Sequence, residues 1–547
     1  METLRCFRML MNGRILGLLA GCLMCMSRVY AVPPVPGQTW TGGRTCFVNE
    51  SAAANRIRIA RGAPALAPPT KSYSVIVIRV QFPGTPFTTN TAAAFFQKVQ
   101  DYYKENSFGV FVPTFTLTSV FTLSGPLAQY GSDCGGDVAC HDPAFIQEAI
   151  QRADASINFN DYDHVMVYHA GYGQESGVKL SNNIWSLFYS GLNIPVDGTF
   201  IKGATLVPEL EIDADPLGVI CHEYGHQLGL PDLYDTSVAG GRSTVGAWDL
   251  MDYPWMGIHV QGDNPPHLGA WSKRFLGFGS TQVLASSGTV SLSPIEFAPG
   301  KSIQIYSTES EYFLAEYRLR ASTSAYDKDL PDPAGLAVWH VDDALLNAPN
   351  TFKNNTVNVP SLNGHNGVDL VESDGRAVYP PGGNDLWTNG LTFASPASNL
   401  FNGTVSSLVM TGIHGVGGSE VAARILFLGA KNQQSVARAI SYPNPATGHV
   451  RSDASPGTWS TLRLQLSRPV SPTALKATIY TILGQRVQEI PGANFNFRVD
   501  LSRDYEWVYE YDWNGRDETG AEVASGVYYL QFDVDGEKIR KPIVVQR

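Results

Sequence analysis

The sequence predicts a mixed α/β or α+β domain over residues 72–280, a β-rich lobe over 281–430 and a small C-terminal β-sandwich over 437–547. Three observations carry this division. In the first half, β-branched runs alternate with amphipathic helical stretches, the pattern of helices layered on a sheet. Beyond about residue 280 the helical period fades into short apolar runs separated by Gly, Pro and Asn. The chain closes on two alternating runs joined by Asp535-Gly536, the strongest short-range sign of a β-hairpin.

Regular structure is expected to begin at Tyr73 to Val80, a β-branched run suited to a buried strand. Thr91 can cap a helix whose apolar stripe is Ala94, Phe95, Val99, Tyr102 and Tyr103. A second helix is predicted from Pro143 to Ala153, leading into a strand at His164 to Tyr168. In the β-rich lobe, Tyr312 to Tyr317 and Leu336 to His340 read as strands. Tyr442-Pro443-Asn444-Pro445 opens the terminal sandwich, and Val527 to Val534 with Lys538 to Val545 form its hairpin.

Ahead of these elements, Arg5, Arg8 and Arg14 precede an apolar run from Ile15 to Met26, and Val29-Tyr30-Ala31 fits a small-residue cleavage site. Residues 1–31 are therefore read as a signal peptide. Leu19-Ala20-Gly21 before Cys22 also fits a lipoprotein signal, with a diacyl anchor on that cysteine. No later stretch approaches the ~20 apolar residues of a membrane helix. Residues 32–71, rich in Pro, Ala and Arg, read as a pro-segment or linker. The expected location is secreted or attached to the surface of a bacterial cell.

A formal charge of -11 without a long basic run excludes the electrostatic footprint of a nucleic-acid binder. Beyond the leader, Cys46, Cys134, Cys140 and Cys221 would meet an oxidising compartment, where Cys134 and Cys140, flanking Gly135-Gly136, are the expected local disulfide. Cys46 has three readings: a second disulfide, a buried thiol, or a pro-segment thiolate on an open zinc position.

The chemistry is concentrated between Asp215 and Asp232. Asp215 is a natural N-cap, Pro216 suits the first helical position, and Gly229 with Pro231 supplies a stop, so one helix is predicted over 216–228. Leu217, Ile220, Cys221, Tyr224 and Leu228 fall on one stripe, with His222 and His226 on roughly the opposite side. Two imidazoles four residues apart can ligate one zinc, and Glu223 between them can reach a metal-bound water as general base. With 11 histidines in 547 residues, a chance H-E-x-x-H is on the order of one per hundred such chains. The pattern therefore favours a metal site over two solvated histidines.

Gly229 lies seven residues after His222 and Asp232 ten after it, the metzincin spacing with Asp in place of the third His. Asp232 is thus the candidate third ligand; an ordinary Asx-turn residue is the competing reading, and Asp235 is the neighbouring competitor. Downstream, Met251 stands where metzincins place a packing methionine beneath the metal. Tyr253 stands where some present a phenol to the metal or the developing oxyanion.

The segment His222 to Asp235 (HEYGHQLGLPDLYD), with Tyr168 to Glu175, Ile184-Trp185-Ser186, Ala270 to Lys273, Glu311 to Leu314 and Gly335 to Asp342, resembles the immune inhibitor A-type secreted metallopeptidases over roughly residues 72–428. The resemblance implies a metzincin-like zinc endopeptidase acting on extracellular proteins or peptides, with calcium as a structural ion. Asp327, Asp329 and Asp332 offer hard oxygen ligands for calcium, whereas the Asp- and Gly-rich insertion of many relatives is missing between Asp163 and Val165. The tail, through Ile479 to Val487, Trp513 to Asp517 and Ala524 to Tyr529, resembles the flagellar hook-capping type of immunoglobulin-like domain. That resemblance implies sorting or surface attachment through the export machinery. The rival class is a pseudo-peptidase acting as a surface adhesin; a serine hydrolase is disfavoured by the absence of G-x-S-x-G.

Overall fold

The computed structural model describes residues 72–546 apart from short internal segments, the longest being 134–140, 176–181, 376–381, 428–435, 448–458 and 467–474. The expected signal peptide, the 32–71 segment, Cys22, Cys46 and the Cys134 and Cys140 pair lie outside the described residues.

The apolar run at the start of the first lobe forms strand β1 (Ser74–Gln81), and its alternate side chains enter two different cores. Val75 and Val77 join one, Ile76, Ile78 and Val80 the other. A strand covered on both faces must be apolar throughout. Strands β2 (Thr114–Thr122), β3 (His164–Tyr172), β4 (Leu187–Val196) and β5 (Thr199–Leu210) complete a five-stranded sheet ordered β2-β1-β3-β5-β4. It is parallel except for the edge strand β4, which pairs antiparallel with β5.

Helices cover both faces. Helix α1 (Ala92–Asn106) packs Phe96, Val99, Tyr102 and Tyr103 on the first core. Helix α2 (Asp142–Asp154) packs Phe145, Ile146, Ala149 and Ile150 on the second. Thr91 holds the N-cap position of α1, but its side chain makes no capping hydrogen bond, so packing defines that end. Helix α3 (Leu217–Gln227) lies beside α1 in the first core, and α4 (Ala270–Leu276) leads out of the lobe.

The second lobe contains two sheets. One is ordered β11-β10-β9-β8-β6, from β6 (Ser280–Leu284), β8 (Lys301–Tyr306), β9 (Glu311–Arg318), β10 (Gly335–Asp342) and β11 (Val368–Leu370). The other is β12-β13-β7, from β7 (Gly288–Leu292), β12 (Leu408–His414) and β13 (Val421–Phe427). Side-chain alternation assigns the faces of β9 and β10: Tyr312, Leu314, Ala337, Trp339 and Val341 enter the first lobe's core, while Phe313, Ala315, Leu336 and Val338 face the three-stranded sheet. The change of pattern near residue 280 therefore marks a change of secondary structure inside one continuous core.

Arg318, at the end of β9, fastens the lobes together from within. Its guanidinium donates to Asp327 at 3.1 and 2.9 Å and to the Trp248 carbonyl at 3.0 Å, and the residue is fully buried. Removing such a partner leaves buried carboxylates uncompensated, a loss of about 3–5 kcal/mol. Asp329 and Asp332 pair with Arg320 at 2.7 and 3.3 Å. The three carboxylates expected to offer a calcium site are thus each met by a guanidinium, and nothing there supports calcium.

From Val436 to Gln546 the described strands form sheets of four and five. They enclose a core that includes Leu462, Leu464, Ile479, Leu530 and Phe532 and extends to Val409 and Leu426 of the second lobe. The expected hairpin is present as Gly526–Val534 paired antiparallel with Glu537–Gln546. Among the described residues, no helix is long and apolar enough to cross a membrane.

A pH dependence follows from the second tie between the lobes. Glu105 on α1 accepts from His267 (2.9 Å), Ser324 Oγ (2.8 Å) and the Ala325 and Tyr326 amides. Burial alone would raise its pKa, but the hydrogen bond and charge of His267, with the other donors, hold it at about 2. A depressed carboxyl contributes stability above its ordinary value near 4.5, and that stability is lost as pH falls toward 2. Melting temperature measured between pH 5 and 2 should therefore fall less steeply in Glu105→Gln than in the parent; parallel curves would refute this assignment.

Candidate active site

The site is built on α3. Its start differs by one residue from the expected one: Pro216 occupies the N-cap, and the Asp215 carboxylate accepts the Leu217 amide at 2.9 Å from one position earlier. The predicted stripe of Leu217, Ile220, Cys221, Tyr224 and Leu228 lies in the main core. The opposite side is covered as well, since Trp255 and the half-buried Tyr253 pack against Val219, and every residue of the helix is buried. At the far end Gly229 adopts φ +102°, a region that side-chain-bearing residues avoid, and the chain turns sharply toward Asp232.

His222 Nδ1 lies 3.0 Å from the Leu250 carbonyl, and His226 Nδ1 lies 2.8 Å from the Leu230 carbonyl. A carbonyl only accepts, so both Nδ1 atoms carry a proton, and Nε2 is the nitrogen each ring has to offer a metal ion. Those two Nε2 atoms are 3.1 Å apart, and Asp232 Oδ1 lies 3.0 Å from His222 Nε2 and 3.2 Å from that of His226. Two ring nitrogens and a carboxylate oxygen thus converge with all three residues fully buried. Among the described residues this is the one group of three such side chains able to hold a metal ion.

The donor set fits zinc. Ligands about 2.0–2.1 Å from a tetrahedral zinc are about 3.3–3.4 Å from one another, close to the separations observed. Two imidazoles and one carboxylate are a normal zinc complement, and three protein ligands leave the fourth position for water. Asp235, the competing third ligand, is engaged elsewhere: its carboxylate accepts from Ser237 and, at 2.8 Å, from Arg242.

The turn that carries Leu250 is fixed by two buried carboxylates. Asp249 accepts from the Met251 and Gly269 amides, each at 2.8 Å, and from Ser272 Oγ at 2.6 Å. Asp252 accepts from the Thr244 and Gly246 amides at 2.7 and 2.8 Å. Met251 consequently lies flat against the helix, where a Cβ on Gly225 would stand 2.8 Å from its sulfur. The methionine expected beneath the site is therefore a packing neighbour of the ligand helix. Tyr253 packs against the buried pair of Val219 and Trp255, and Val219 stands three residues before His222 and four before Glu223, on the same helical face. Burial, and then Asp252, raise the Tyr253 pKa, so its phenol keeps its proton as a donor.

One residue at the site carried no signal in the motif. Asn355, from the second lobe, donates through Nδ2 to Asp232 Oδ2 and accepts the Asp232 amide at 2.9 Å. It lies 123 residues along the chain from its partner, beyond the reach of any local spacing rule.

Gly229→Ala tests the turn. It should destabilise the protein by roughly 1–3 kcal/mol and weaken zinc binding, because Asp232 reaches the histidines only through that turn. Thermal unfolding and zinc competition check both parts; a variant unchanged in either would contradict the role assigned to the turn.

Comparison with known proteins adds to this geometry. Residues 161–280 match the family model described as immune inhibitor A peptidase M6, catalytic domain. Immune inhibitor A of Bacillus thuringiensis subsp. alesti is 29% identical over 32% of this chain and 31% of its own length. The pre-pro-metalloprotease PrtV of Vibrio cholerae is 28% identical over 33% of this chain and 24% of its own length. The chain thus matches less than a third of the length of these relatives. A solved structure, metalloproteinase-II from Bacteroides fragilis, aligns at 13% identity over 42% of this chain and 59% of its own, with a TM-score of 0.23, too low to signify a shared overall fold. Through residues 161–280, the chain is similar to the catalytic domain of the immune inhibitor A, or M6, metallopeptidases.

Proposed function

We propose that the protein is an exported zinc-dependent endopeptidase that hydrolyses peptide bonds of extracellular proteins, with His222, His226 and Asp232 as zinc ligands and Glu223 as general base. The observation that carries this reading is the convergence of two Nε2 atoms and one carboxylate oxygen within 3.0 to 3.2 Å of one another, on and just after the helix that also carries the buried Glu223. A zinc ion held there would lower the pKa of a bound water toward ~7 and polarise the scissile carbonyl.

The chain's own groups would do the rest. Leu250 and Leu230 hold the imidazoles in the tautomer that can ligate. Glu223 takes a proton from the attacking water and hands it to the departing amine, restoring its carboxylate. Tyr253, a neutral phenol beside the ligand face, donates a hydrogen bond to the oxygen that gains charge. In this reading residues 1–31 direct export and 32–71 form a pro-segment, in keeping with the "pre-pro" in the name of the Vibrio relative. The terminal sandwich, read as immunoglobulin-like, serves sorting or attachment at the cell surface.

Glu223→Gln in the full chain should lower cleavage of denatured casein by about 10²–10⁴-fold while zinc content stays equal to the parent's. Undiminished cleavage would refute the assignment of the base. Zinc bound by both proteins with neither cleaving would favour the pseudo-peptidase adhesin. Tyr253→Phe should lower kcat by up to about a hundredfold with little change in KM; an unchanged kcat would remove Tyr253 from the mechanism.

A further inference from the structure

Asp232 belongs to the first lobe, yet its position is set by the second. The segment after β10 carries Asn355 inward until it is 1% exposed, with its backbone at φ +51°, a left-handed conformation open chiefly to Gly, Asn and Asp. That backbone is pinned from both sides: its amide donates to the Phe352 carbonyl at 3.0 Å, and its carbonyl accepts from Thr236 Oγ1 at 3.0 Å. Three residues on, Asn358 donates to the Leu233 carbonyl and to Thr244 Oγ1, each at 2.9 Å. The second lobe therefore grips the first from Asp232 to Thr244.

The orientation of the Asn355 amide follows from its partners. The Asp232 backbone N–H only donates, so it meets Asn355 Oδ1, and Asn355 Nδ2 is left to donate to Asp232 Oδ2. A carboxylate next to a cation can present one oxygen or two, and can rotate between these states. With Oδ2 turned to the amide, Oδ1 is the oxygen that faces the two Nε2 atoms. We infer that Asn355 is a positioning residue that locks Asp232 into one-oxygen ligation and so makes the second lobe part of the metal site. The inference rests on the zinc reading above and goes beyond it by assigning a role to a residue outside the peptidase motif. One-oxygen ligation suits four-coordinate zinc, whereas larger, oxygen-seeking cations accept two oxygens from one carboxylate.

Two variants separate positioning from folding. Asn355→Gly suits the left-handed backbone and removes only the side chain. Asn355→Asp keeps the shape and the acceptor for the Asp232 amide but sets a carboxylate against Asp232 Oδ2. The full chain, stripped of metal, would be titrated with zinc against a chromophoric chelator, then loaded with cobalt(II) for its visible absorption, with circular dichroism and melting of the apo-protein as controls.

Both variants should bind zinc about 10–100-fold more weakly than the parent, with Asp the weaker, and should show an altered cobalt band while circular dichroism shows the apo-protein folded. Zinc affinity within twofold of the parent and an identical cobalt spectrum would overturn the inference and leave the zinc reading standing. A parent that takes up no zinc would overturn both. If either variant fails to fold, Thr236→Val, which removes only the hydroxyl holding the Asn355 carbonyl, takes its place; it should weaken zinc severalfold, and an unchanged affinity there would count against Asn355.

Discussion

Three lone pairs pointed at one another across 3.0 to 3.2 Å inside a protein repel unless a cation stands among them. That constraint organises the first lobe around α3. The imidazoles are turned inward because Leu250 and Leu230 take their other nitrogens, and both carbonyls belong to turns that are themselves fixed. Asp249 and Asp252 hold the turn bearing Leu250, and the left-handed Gly229 permits the turn bearing Leu230 and Asp232.

The second lobe supports the same arrangement from outside. One face of its β9 and β10 strands completes the core on which α1 and α3 pack, so the ligand helix rests on side chains from both lobes. Arg318 and Glu105 add polar ties across the junction, and Asn355 and Asn358 reach the ligand-bearing segment directly. Such a division keeps His222, Glu223, His226 and Asp232 within one short helix and the turn after it, while a larger scaffold supplies rigidity.

Local features of the sequence were the legible ones. The helix bearing His222, Glu223 and His226 was predicted to within one residue at each end, because capping residues, a ligand pair and an apolar stripe coincide in one short segment. The apolar runs of β1, β9 and β10 and the terminal hairpin were likewise visible, since burial on both faces or strict alternation leaves a local imprint. The burial of both faces of α3 was not, because Val219, Trp255 and Tyr253 meet only in three dimensions. Asn355 was hidden for the same reason. Asp327, Asp329 and Asp332 suggested a cation by their spacing, but spacing does not show that Arg318 and Arg320 point at them.

Whether one zinc ion sits among His222, His226 and Asp232 is open to direct measurement. Anomalous diffraction at the zinc edge from crystals of the metal-loaded protein tests it most directly. The account predicts a single strong peak about 2.0–2.1 Å from both Nε2 atoms and from Asp232 Oδ1, with Asp232 Oδ2 still held by Asn355. A peak elsewhere in the molecule, or none in protein shown to contain zinc, would contradict it.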